Sequence, residues 1–141
     1  FGDIITHSSN ARNVNPTGKD LLVMDRGDLC RAAVAIHGNI QAAIVVLRGE
    51  MKARHVRQAV PIPPAKELEK LFMRAEVFLS MTKESDHLFG RTGYVMTNHE
   101  TLDTFIFAVP DGSVLILPIV KPYGHDELLE KVASLLGVRF G

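Results

Sequence analysis

Residues 91–120, RTGYVMTNHETLDTFIFAVPDGSVLILPIV, decide the fold. Three runs rich in β-branched and aromatic residues, Arg91 to Asn98, Leu102 to Val109 and Ser113 to Val120, are separated only by Asn98-His99-Glu100-Thr101 and by Pro110-Asp111-Gly112. Both connections are short enough for hairpins, so the three runs are predicted to form an antiparallel meander.

Upstream, Ala65 to Phe89 carries a helical pattern. Leu68, Leu71, Phe72, Ala75, Phe78, Leu79 and Phe89 form one broad apolar face, which is expected to cover a sheet. A second stripe, Met73, Val77, Met81 and Leu88, lies roughly opposite when residues are placed about 100° apart. A helix already using one face on a sheet has no internal need of another, so this stripe reads as a contact surface, or else as a face covered by the N-terminal arm.

Further upstream, Ile40 to Leu47 is apolar on both faces and reads as a central strand. A turn at Arg48-Gly49-Glu50-Met51 leads into a polar strand, Lys52 to Val60, placed at a sheet edge. Pro61, Pro63 and Pro64 end the pairing and prepare the helix start. Leu29, Ala32, Ala33 and Ile36 predict a first helix within Leu21 to His37, stopped at His37-Gly38-Asn39. A last helix, capped near Asp126, turns Leu128, Leu129, Val132, Leu135 and Leu136 inward and ends at Gly137. Residues 1–20, poor in apolar side chains, read as a flexible arm, leaving 21–141 as one domain.

The 16 basic and 16 acidic side chains of this 141-residue chain cancel, so no global field draws it to nucleic acid or an anionic membrane. The single cysteine, Cys30, cannot form an intramolecular disulfide, which suits a reducing, cytoplasmic compartment. No apolar run reaches the roughly 20 residues of a membrane span.

Six scattered histidines, none paired at the i, i+4 spacing, predict no metal site. No phosphate-binding or dinucleotide glycine pattern is present, and Cys30 sits where a small core residue is expected. No catalytic residue and no cofactor is therefore assigned. Arg48, Lys52, Arg54 and Arg57 gather charge on the second strand, with Glu50 the only acid nearby. They read first as a solvated edge whose charge reversal leaves stability unmoved, and second as a patch for an acidic partner. Nucleic acid is disfavoured, since no aromatic residues interleave there.

The order α-β-β-α-β-β-β-α resembles the roadblock (dynein light-chain) branch of the profilin-like folds. The residues that carry the likeness lie within Asp28 to Leu136: the Ile40 to Gly49 strand and turn, Leu71-Phe72-Met73, Gly93-Tyr94 opening the meander, and the closing Leu128 to Leu136 helix. The chain also looks like small archaeal roadblock-like proteins. The resemblance implies an α/β domain of the α+β kind: a five-stranded antiparallel sheet ordered second, first, fifth, fourth, third, with the long helix on one face and the terminal helices on the other. It also implies a homodimer built on the third strand and long helix, here Met73, Val77, Met81, Leu88 and Tyr94. Proteins of this kind act as non-enzymatic platforms for small GTPases or larger complexes. Pro118 then falls in a central strand and must sit at a bulge or strand end. Two other readings stay open: a profilin/PAS-like sensor holding a small ligand between sheet and helix, and a small enzyme assembled from loops such as Asn98 to Thr101.

Overall fold

The computed structural model describes residues 24–140. The expected arm, and the boundary at residue 21, lie outside the described residues.

Five antiparallel strands form the sheet: β1 (Ala42–Leu47), β2 (Glu50–Val56), β3 (Tyr94–Asn98), β4 (Leu102–Ala108) and β5 (Val114–Val120). Their order is β2-β1-β5-β4-β3, as the resemblance implies. Helices α1 (Arg26–Val34) and α4 (His125–Leu136) cover one face, and α2 (Ala65–Lys83) covers the other.

The burial follows the two-residue period of the strands. On β5, Leu115, Leu117 and Ile119 join α1 and α4, while Val114 and Ile116 join α2. Both faces of β5 are thus dry, which explains its unbroken apolar run. The larger core stacks Phe105 and Phe107 over Val45, Cys30, Val132 and Leu136. The smaller holds Val46 and Ile106 beneath Phe72, Ala75 and Leu79.

Local chemistry moves several expected boundaries. The β1–β2 connection is a two-residue turn, with Arg48 and Gly49 both left-handed at φ 52 and 79, so β2 begins at Glu50. It ends at Val56 rather than Val60, because Arg57 opens a turn in which Ala59 is also left-handed.

The long helix stops at Lys83 instead of running to Phe89. Thr82 Oγ1 turns back onto the Phe78 carbonyl, and a separate one-turn helix α3 (Asp86–Phe89) follows, ended by Gly90 at φ 91. Asp86 then accepts hydrogen bonds from both N–H and Oγ1 of Thr92 and steers the chain into β3. Two residues expected in the core are outside it: Leu71, within the unbroken helix, is 45% exposed, and Phe89, carried off by the break, is 84% exposed.

Helix α1 begins at Arg26 behind Asp25, whose carboxylate accepts the Asp28 N–H at 2.7 Å. It ends at Val34, ahead of the expected glycine stop. Helix α4 starts at His125 behind Gly124 rather than behind Asp126, and ends at left-handed Gly137 as expected. Pro118 sits at an irregularity: the β1–β5 ladder runs from Ile44↔Ile116 to Val46↔Val114, and an isolated Ile40↔Ile119 bridge lies beyond it. The missing N–H falls in that slip, while the Pro118 carbonyl accepts the Gln41 N–H.

Candidate interaction surface

Phe72, Ala75 and Leu79 fix how α2 is rotated, because they are its buried residues. Residues 73, 77 and 81 then lie on the opposite side. Met73, Val77 and Met81 are 65%, 46% and 61% exposed. Leu88 is also exposed, but on α3 rather than on the same helix face. Strand β3 is an edge of the sheet, and α2 packs over it through Val95.

Tyr94 does not join this row. It lies on the other face of β3, its ring 5.8 Å from Phe107 and 5.3 Å from Phe140, within the α1/α4 core. Alternation along β3 separates the two: Val95 faces α2 and Tyr94 faces away.

The four cations of the second strand also separate. Arg48 is exposed in the turn, and Lys52 is the bulged residue, its Nζ 3.1 Å from Glu50 Oε1. Arg54, paired in register with Ile44, lies on the α2 face. Arg57 is half-buried and donates to three carbonyls: Nε to Ile40 at 2.7 Å, and Nη2 to Val34 and His37 at 2.8 Å each. It closes the orphan carbonyls at the end of α1, so its guanidinium is not a free member of a docking patch.

Two further features stand out: the first lies where the sensor alternative put its pocket, between sheet and helix, and the second escaped the sequence reading. A groove of about 730 Å³ lies between α2, the Val60–Pro63 segment and the sheet, with Ile44, Val56, Leu68, Phe72, Phe78 and Ile116 among its walls. Ile62, 48% exposed among prolines, was its visible sign. The second is a polar knot at Asp103, only 5% exposed. Its carboxylate accepts from the Tyr123 hydroxyl and from Asn98 Nδ2 at 2.6 Å, with Lys121 Nζ at 3.7 Å. The Tyr123 hydrogen bond holds the Asp103 carboxyl below the usual carboxylate range, against the opposing effect of burial. Burial, then the hydrogen bond to Asp103 and its charge, raises Tyr123.

Cys30 is fully buried, and burial pushes its thiol up to about 11, so it packs as a small apolar residue and is not a poised nucleophile. Among the described residues no group of three His, Cys, Asp or Glu side chains could hold a metal ion, and no helix is long and apolar enough to cross a membrane.

No protein-family model matches the chain, and no curated protein matches it. Solved structures do. The roadblock/LC7 domain from Streptomyces avermitilis superposes with a TM-score of 0.65 at 15% identity, covering 80% of this chain and 92% of that one. The gliding protein MglB from Thermus thermophilus gives 0.63 at 15% identity, over 79% and 83% of the two chains. An MglB with tetrameric arrangement gives 0.63 at 16% identity, over 77% and 80%. The fold is roadblock-like.

Proposed function

We propose that this chain is a non-enzymatic, homodimeric module that scaffolds or regulates a partner protein, with a small GTPase as the partner class. One observation carries the reading: a row of large apolar side chains, Met73, Val77 and Met81, left in water on a helix that packs over an edge strand. Apolar rows of this kind are a signature of contact surfaces, and a free strand edge offers unpaired backbone groups to a second copy. A two-fold axis beside β3 would cover both with one self-complementary patch. Methionines suit such a contact because they adapt to a partner's shape. The roadblock-like fold supports the regulatory role, and one solved MglB of this fold is described in a tetrameric arrangement.

Sedimentation of the full chain at micromolar concentration tests the dimer. The expected result is a dimer that Val77→Glu converts to monomer without changing the far-ultraviolet circular dichroism, since the substitution places a charge against an apolar patch. A monomer at all concentrations refutes the reading. The partner class is tested separately, by titrating GDP- and GTP-loaded small GTPases of the same organism against the dimer.

A further inference from the structure

We infer that the groove beneath α2 is a binding site for a long-chain fatty acid, its carboxylate held by Arg54 and Arg74. The groove touches residues of all five strands, from Met51 and Val56 on β2 to Thr97 and Asn98 on β3. Four inter-strand spacings give a span of about 19 Å, which suits an extended chain better than a compact ring system. Its volume of about 730 Å³ falls within the range of sites that enclose a small ligand.

The charges specify the head group. Among the described residues no aspartate or glutamate lines the groove, whereas Arg54 on β2 and Arg74 on α2 both do. Among the described residues neither guanidinium has an ion pair or a hydrogen bond; Arg48, Lys66, Lys83 and Arg139 share that lack, but only Arg54 and Arg74 line the groove. Each guanidinium is a fork of N–H donors that matches a carboxylate, and both stand at the wall of an otherwise apolar groove. Three of the exposed large apolar residues, Met51, Ile62 and Leu71, line this one groove, so an acyl chain laid there takes all three out of water.

The inference does not rest on the dimer, because Met73, Val77 and Met81 do not line the groove. The test is displacement of a dansyl-labelled undecanoate probe from the full chain by hexadecanoate and by hexadecanol. Saturable binding at one site per chain is expected, displaced by hexadecanoate. Leu71→Glu should weaken it at least ~10-fold, by setting a charge in the acyl path. The double variant Arg54→Glu, Arg74→Glu should weaken hexadecanoate ~10-fold or more while leaving hexadecanol within about twofold. Val77→Glu should bind as the parent does. Four results overturn the inference: no saturable binding, affinity unchanged by Leu71→Glu, equal loss of acid and alcohol on reversing the arginines, or binding to phospholipid vesicles without binding to monomeric hexadecanoate.

Discussion

Arg57→Ala should be the most damaging substitution among the four cations of the second strand. Its guanidinium donates to the carbonyls of Val34, His37 and Ile40 at 2.7–2.8 Å, joining the end of α1 to the start of β1 from the strand that follows. Hydrogen bonds involving a charged partner are worth about 1.5–3 kcal/mol each when buried. Arg57 is half-buried, so water can replace part of what is lost, and a total of about 2–4 kcal/mol is expected. For a domain of this size that lowers the melting temperature by roughly 8–16 °C. Arg57→Lys should recover less than half, because one ammonium cannot span three carbonyls. Arg54→Ala is the internal control: its exposed, unpaired side chain should change stability by under about 0.5 kcal/mol. Thermal and urea unfolding of the three variants beside the parent decide the matter. If Arg57→Ala melts within about 2 °C of the parent, or no lower than Arg54→Ala, the carbonyl clamp contributes nothing and the argument fails.

Asp103→Ala should destabilise by about 1–2 kcal/mol in urea unfolding, since it removes the acceptor of the half-buried Tyr123 hydroxyl, while the exposed Asn98 amide can turn to water. The lowered Asp103 carboxyl contributes stability that is present above about pH 4 and lost as the pH falls through its folded pKa, so Asp103→Asn should flatten the acid limb of a stability-against-pH curve. The raised Tyr123 acts in the opposite direction, its contribution fading as the pH rises above about 10. Gly93→Ala should cost about 1–3 kcal/mol in the same assay, because a Cβ there would stand 2.6 Å from the Phe140 ring, which is itself packed on Tyr94 and Phe107.

The elements were legible because they rest on periodicity, whereas the strand order and the layering were legible only through the resemblance. Two-residue alternation on β4 and the unbroken apolar run of β5 agree with central places in that order, and hairpin-length links join β3, β4 and β5 in sequence. Pro118 was legible as a constraint: a residue without an N–H demanded a fault in the ladder, and the slip between the β1–β5 pairing and the Ile40 bridge supplies it. Helix ends were less legible. The breaks at Val34 and Lys83 depend on groups far along the chain or on side chains that fold back, such as Arg57 and Thr82, and no local pattern announces them.

The candidate surfaces show where such a pattern stops. Periodicity ranks residues by the side of an element they occupy, so it placed Met73, Val77 and Met81 together on one side of α2. It does not say how much of a face a neighbour covers. Leu71 lies on the flank of the buried residues of α2, yet the helix and sheet diverge there and a groove opens. Nor does a count of charges say what each charge touches. Arg54 and Arg57 are three residues apart, but Arg54 lies on the α2 face of β2 while Arg57, just past the strand's end, reaches the end of α1 on the other side. One meets a cluster of orphan carbonyls and becomes part of the framework. The other meets an apolar groove that no aspartate or glutamate of the described residues lines, and so keeps no carboxylate partner among them.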